Sequence, residues 1–298
     1  MMKEKWLKGC GTALATPFLE DAPDYEAYRK LVARQLAAGV DFLVPLGSTA
    51  ETPCLRDAEK QELLRITREC CPDRPVVAGV GTNSLDATLR NMERLDPLGP
   101  DAWLVVAPYY NKPTQEGMYA YFKAVAAATS RAVVLYNVPG RTGVNLLPET
   151  VLRLAQIPNI VAVKEASGNI AQIQEVIDGA PEGFSVLSGN DDQTWPLMAL
   201  GADGVISVAS NVAPGPVAEL VRAAAADDMP RARALHRALT PLFKACFAES
   251  NPIPVKAALS VLGLCAPRMR SPLTEPVPET VALMRRTIAA LFPDVKTD

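Results

Sequence analysis

Short runs of near-continuous apolar residues alternate with stretches of helical spacing from the start of the chain to about residue 209. The runs are residues 12–18, 40–46, 76–81, 102–109, 132–139, 160–166, 184–188 and 205–209. A strand that is apolar at every position, rather than at every second one, is covered on both faces, as parallel strands clad by helices are. Between the runs, Tyr28, Leu31, Val32, Gln35 and Leu36 share one helical face, as do Ile170, Ile173, Val176 and Ile177. Helix starts are signalled by Asn83 with Asp86 three residues on, and by Pro148-Glu149 after the fifth run. Eight strands alternating with helices predict a parallel sheet, and one of this size closes most naturally as a (β/α)8 TIM barrel. An open doubly wound sheet is the alternative.

From Pro214 onward the pattern is helical only, over residues 218–226, 230–247, 254–262 and 279–291. In the last stretch Val281, Met284, Ile288 and Leu291 form a single apolar stripe. The first stretch closes the eighth strand–helix unit, and the others form a C-terminal helical extension. The expected division is a catalytic barrel over residues 1–223 and a helical region over 224–298. No Ser/Gly linker precedes that region, so it is expected to pack on the barrel.

Composition narrows the chemistry. The 298 residues are 49% hydrophobic with a net charge of -3, which supports a large core and gives no reason to expect nucleic acid or an anionic membrane as partner. No apolar run approaches the roughly 20 residues that cross a bilayer. Residues 1–10 carry Lys3, Lys5 and Lys8 without an apolar stretch after them, unlike a signal peptide, so a cytoplasmic location is expected. Cys10, Cys54, Cys70, Cys71, Cys246 and Cys265 form no C-x-x-C pair and read as reduced thiols. The one histidine, His236, lies among Arg231, Arg233 and Arg237 and reads as a surface residue. Zinc sites and Ser–His pairs both rely on histidine, so the chemistry is expected to run on other groups. Gly79-x-Gly81 lacks the third glycine of a dinucleotide fingerprint.

In a parallel barrel the active site lies at the C-terminal ends of the strands. Lys164 is the outlier there, embedded in Ile160-Val-Ala-Val-Lys-Glu-Ala166. Burial disfavours the charged amine, and a neutral amine forms Schiff bases. The plainer alternative is a structural pair with Glu165. Adjacent strand residues point to opposite faces, which makes Glu165 a poor partner. Tyr136, near the end of the neighbouring strand, could bring a phenol to the amine as proton relay or general acid–base, although a strand tyrosine is ordinarily core. Ser48 and Thr49, in Gly47-Ser-Thr-Ala-Glu51, offer hydroxyls and N–H groups to a carboxylate, or form only a turn. Arg141 follows a Pro-Gly turn, where it is either solvated or clamps a substrate carboxylate in bidentate fashion.

Five motifs occur in order: Gly47-Ser-Thr-Ala-Glu51, Pro108-Tyr-Tyr-Asn-Lys-Pro113, Tyr136-Asn-Val-Pro-Gly-Arg-Thr-Gly143, Val163-Lys-Glu-Ala-Ser-Gly168 and Asn251-Pro-Ile-Pro-Val-Lys256. With them the chain resembles, from about Gly9 to Leu264, the dihydrodipicolinate synthase branch of the pyruvate-dependent class I aldolases. N-acetylneuraminate lyase belongs to the same group. The resemblance implies the 4-hydroxy-tetrahydrodipicolinate synthase reaction of the diaminopimelate and lysine pathway, joining pyruvate to L-aspartate 4-semialdehyde, with no cofactor and no metal. It makes Lys164 the Schiff-base lysine, Tyr136 the catalytic tyrosine, and Ser48 and Tyr110 proton-relay residues. Tyr110 would come from a neighbouring subunit of a homotetramer built as a dimer of dimers. Thr49 would bind the pyruvate carboxylate, Ile206 and Gly189 would line its pocket, and Arg141 would hold the carboxylate of the aldehyde.

Two departures stand out. Ser48 replaces the family's threonine and keeps the hydroxyl with a freer rotamer. Ala50 replaces a glycine and disfavours φ > 0, so a small shift of the loop is expected. The histidines and glutamate that bind lysine in feedback-inhibited relatives are matched here by Asp57, Lys60 and Ala87, which predicts weak or absent lysine inhibition. A lyase of sialic acid or of another keto-sugar acid, and a barrel that only binds or regulates, remain as alternatives. Arg141 favours the small carboxylated aldehyde over a sugar. The retention of Lys164, Tyr136 and Arg141 favours an enzyme.

Overall fold

In the computed structural model, residues 5–294 are described; Lys3 and the rest of the first four residues lie outside them. The eight apolar runs become β1 (Gly9–Ala13), β2 (Phe42–Val44), β3 (Val77–Gly79), β4 (Ala102–Val106), β5 (Ala132–Asn137), β6 (Ile160–Glu165), β7 (Ser185–Ser188) and β8 (Gly204–Ser207). Every neighbouring pair is parallel, in the order β2-β1-β8-β7-β6-β5-β4-β3. A parallel bridge from Leu43 to Val76, with Gly79 N donating to Pro45 O at 3.0 Å, closes the ring between β2 and β3. The helices that follow the strands are α1 (Tyr25–Ala37), α2 (Asp57–Cys70), α3 (Leu85–Leu95), α4 (Gln115–Ala127), α5 (Pro148–Leu154), α6 (Ile170–Gly179), α7 (Thr194–Ala199) and α8 (Pro214–Ala225). Among the described residues no helix is long and apolar enough to cross a membrane.

Two apolar layers follow from the strand alternation. Ala13, Phe42, Val44, Val77, Leu104, Val134, Tyr136, Ala162, Leu187 and Ile206 face the barrel axis and form one cluster. Their neighbours Trp103, Val105, Val133, Leu135, Val163, Val186 and Val205 face outward into the helix layer. α9 (Met229–Ala245), α10 (Ile253–Val261) and α11 (Pro278–Leu291) join that outer layer through Leu239, Leu242, Phe243, Val255, Leu259, Met284 and Ile288.

Four local expectations are corrected. The first strand ends at Ala13 rather than running from 12 to 18; Leu14, Ala15 and Phe18 are buried as loop and ribbon instead. Phe18–Leu19 pairs antiparallel with Ala22–Pro23 in a two-stranded ribbon that the pattern did not signal. The cap of α3 is Ser84, whose hydroxyl accepts from Ala87 N, not Asn83. His236 is half-buried rather than a surface residue, with its ring between Trp195 and Phe243 at 5.5 and 5.9 Å. All six cysteines are free.

Candidate active site

The register of β5 against β6 sets Tyr136 directly beside Lys164. Alternation points both into the barrel, and Lys164 is only 4% exposed, with Nζ 4.5 Å from the centre of the Tyr136 ring. Glu165, one residue on, points outward. Its carboxylate accepts from Asn137 Nδ2 at 3.0 and 3.2 Å and from Ser167 N at 2.7 Å. Burial raises the Glu165 carboxyl above its ordinary value, and those hydrogen bonds oppose the rise. The Lys164–Glu165 pair is therefore not made.

Beside Lys164 the chain turns at Gly189, whose N–H donates to Glu165 O at 2.7 Å. A Cβ there would lie 2.6 Å from Ala166 Cβ and 3.2 Å from Lys164 Cε, so glycine lets the backbone pass against the lysine stem. Asp191 follows, fully buried. It accepts from the Ser207 hydroxyl and from the N–H groups of Val208 and Ala209 at 3.0 and 2.9 Å. Burial pushes its carboxyl up, opposed by those bonds and by the charge of Lys164. Ile206 is buried in the same inner cluster as Tyr136.

The loop after β2 coils into a 3-10 turn, Ser48–Ala50, with Ala50 N donating to Gly47 O at 3.1 Å. The left-handed residue of this loop is Glu51, at φ 55°, and Ala50 does not have positive φ. The replacement of glycine at position 50 is thus free of backbone strain. Thr49 is buried and its Oγ1 accepts from Asn251 Nδ2 at 2.9 Å. Arg141 is exposed, in the helical turn Pro139–Thr142, and its guanidinium donates to Asn251 O at 3.1 Å.

Ser48, Thr82, Tyr136, Val138, Arg141 and Asn251 help line one cavity of about 440 Å³. Strand register, the Asn251 bridge and the turn at Gly189 bring Lys164, Tyr136, Ser48, Thr49, Arg141, Gly189 and Ile206 around the same end of the barrel. Tyr110 stands apart. It is 88% exposed at φ 71°, and Tyr109 lines the cavity in its place. Asn251 and Asp191 carry polar roles that strand patterning did not reveal. Asn251 lay in a motif already singled out; Asp191 lies beyond the end of β7, at the start of the 3-10 turn Asp191–Gln193. Asp57 and Lys60 are 3.5 Å apart on α2, and Asp57 also pairs with Arg94 at 2.9 Å.

Comparison with known proteins agrees with this architecture. The profile of the dihydrodipicolinate synthetase family matches residues 6–291. The chain is 46% identical over 283 residues to a 4-hydroxy-tetrahydrodipicolinate synthase of Thermotoga neapolitana, covering 93% of this chain and 96% of that one. It is 47% identical over 286 residues to the synonymous protein of Koribacter versatilis, covering 95% of each. The crystal structure of dihydrodipicolinate synthase from Thermotoga maritima superposes with a TM-score of 0.93 at 45% identity, covering 95% of this chain and 98% of that one. A structure described as the first monomeric dihydrodipicolinate synthase variant superposes at 0.95 with 44% identity, covering 96% and 97%. A barrel with an inward lysine beside a tyrosine, matched along nearly its whole length, places the chain in the dihydrodipicolinate synthetase family.

Proposed function

We propose that the chain catalyses the 4-hydroxy-tetrahydrodipicolinate synthase reaction, joining pyruvate to L-aspartate 4-semialdehyde by way of an imine on Lys164. The observation that carries this reading is the Lys164 amine, almost wholly buried and set against Tyr136 beside a cavity that Ser48 and Arg141 line. The amine adds to the pyruvate carbonyl and water leaves, forming the imine. The iminium acidifies the methyl group, and loss of a proton gives the enamine. The enamine carbon attacks the aldehyde carbon, making the new carbon–carbon bond while the aldehyde oxygen takes a proton. The amino group of the second substrate then attacks the imine carbon, closing the ring and releasing Lys164.

Tyr136 and Ser48 move protons in these steps, with Tyr110 supplied by a second copy of the chain. Thr49 and the N–H groups of its loop receive the pyruvate carboxylate, with Gly189 and Ile206 shaping the pocket. Arg141 holds the carboxylate of the aldehyde. The expected assembly is a homotetramer of two tight dimers, and the exposure of Tyr110 leaves it free to reach a neighbour's site. The expected boundary between residues 223 and 224 falls inside α8 (Pro214–Ala225), so among the described residues we assign 5–225 to the catalytic barrel and 226–294 to the packed helical region, and we place the enzyme in the cytoplasm in diaminopimelate and lysine biosynthesis. Asp57, Lys60 and Ala87 support weak or absent feedback, so a lysine titration is expected to leave turnover near its starting value.

The test is pyruvate consumption with each of two aldehydes. Turnover with L-aspartate 4-semialdehyde and none with N-acetylmannosamine is expected; the reverse preference would replace this reading with a sugar-acid lyase.

A further inference from the structure

The last of the five motifs, residues 251–256, has no chemical task in the reaction above, yet it ends in a lysine with no exposed surface. Lys256 Nζ lies 2.7 Å from Glu51 Oε1, with the two side chains 0% and 1% exposed. Apolar residues of similar volume commonly stabilise a core as well as such a pair does. The pair is better explained by what it fixes in place.

Glu51 occupies a left-handed backbone position (φ 55°, ψ 36°) between the 3-10 turns Ser48–Ala50 and Thr52–Cys54, where a long side chain is uncommon. Its second carboxylate oxygen accepts from Arg270 N at 3.0 Å. Asn251, five residues before Lys256, donates to Thr49 Oγ1 at 2.9 Å. One short segment therefore grips the same loop twice, at Thr49 and at Glu51. The grip is braced from behind. Lys256 Nζ and the Arg270 guanidinium lie 4.1 and 4.7 Å from the centre of the Phe18 ring, and Arg270 is paired with Glu59 of α2 at 2.6 Å. Glu51 is thus answered by Lys256, and Glu59 by Arg270 and, at 3.7 Å, by Arg56. Burial pushes the Lys256 amine down and Glu51 pushes it back up.

We propose that Lys256 and Glu51 are positioning residues for the pyruvate half-reaction, holding the loop that presents Ser48 and Thr49 in register with Lys164. This rests on the function proposed above. Lys256 is buried behind the loop, and Glu51, although it borders the cavity, has its two carboxylate oxygens occupied by Lys256 Nζ and Arg270 N; displacing a reacting or binding group by about 1 Å can cost about 10²-fold in rate.

The test uses the full chain. Lys256→Met combined with Glu51→Gln removes both charges and leaves no lone buried ion. Glu51→Asp keeps the pair but shortens one arm, and serves if the double variant does not fold. Ile173→Val, a core change on the buried face of α6, controls for loss of stability alone. Measured are the rate of borohydride trapping against pyruvate concentration, the KM of each substrate, and the melting temperature. The double variant is expected to melt near wild type while kcat/KM for pyruvate and the trapping rate fall about 10²-fold, with the KM for the aldehyde unchanged. Glu51→Asp is expected to move the same two quantities in the same direction, and Ile173→Val to move only the melting temperature. Folded variants that trap pyruvate as wild type does, or a control that shifts the pyruvate terms equally, would overturn the proposal. A wild-type chain that is not trapped at all would instead defeat the function on which it rests.

Discussion

At the scale of single residues, the site divides into groups that local sequence exposes and groups that only the fold brings in. Lys164 is legible because a charged residue interrupts an apolar strand, and strand alternation alone separates it from Glu165. Tyr136 is legible because it lies next to the end of the adjacent strand. Asn251 is not, because its partner Thr49 is 202 residues away and the bond is made across the barrel mouth. Asp191 is not, because its partners are the hydroxyl that ends the following strand and the two N–H groups just after it. The proposed roles predict different kinetic signatures. Tyr136→Phe is expected to lower kcat by about 10²–10⁴-fold, the usual worth of a placed proton donor. Arg141→Ala is expected to raise the KM for the aldehyde while leaving the pyruvate dependence of trapping unchanged. A Tyr136→Phe enzyme of normal kcat, or an Arg141→Ala enzyme weakened for pyruvate instead, would contradict the assignments.

At the scale of elements, the pattern located every barrel strand but misplaced the first. Gly9 and Gly11 lie before the expected run, yet both belong to the strand. A Cβ at Gly11 would lie 2.0 Å from the Phe42 ring, so glycine makes room for that ring inside the barrel. The apolar residues after Ala13 are buried for another reason, since Phe18 lies beneath Lys256 and Arg270. Ion pairing between distant elements was illegible in the same way. Glu59 on α2 accepts two bonds from Arg270, at 2.6 and 2.7 Å, and its carboxyl is held below the ordinary glutamate range chiefly by that guanidinium. A depressed folded pKa contributes stability that is present above the unfolded value, about 4.3, and is lost as pH falls through the folded value. Glu59→Gln is expected to cost about 1–3 kcal/mol at neutral pH and to flatten the acid limb of a melting-temperature profile. An unchanged acid limb would show that the pair does not contribute.

At the scale of the whole molecule, eight parallel strands with a helical layer were legible from hydrophobic period alone, because a sheet covered on both faces leaves a continuous apolar signature. What the period does not carry is how the C-terminal helices serve the site. Their burial is legible as stripes such as Met284 and Ile288, but the reach of Asn251 and Lys256 to the β2 loop depends on closure of the barrel. Assembly is the remaining level. Tyr110 is 88% exposed and outside the cavity wall, and the proposed function has it serve a neighbouring copy's site. Specific activity is therefore expected to fall on dilution in step with the dimer fraction seen by sedimentation. Undiminished activity from a proven monomer would remove Tyr110 from the relay.

The central chemical step is attack by the amine beside Tyr136 on a keto acid. The most direct measurement is borohydride reduction in the presence of pyruvate, followed by peptide mass spectrometry. A reduced pyruvate adduct on Lys164, absent without pyruvate and absent from Lys164→Ala, is the predicted result. An unlabelled Lys164, or a label carried by another lysine, would contradict it.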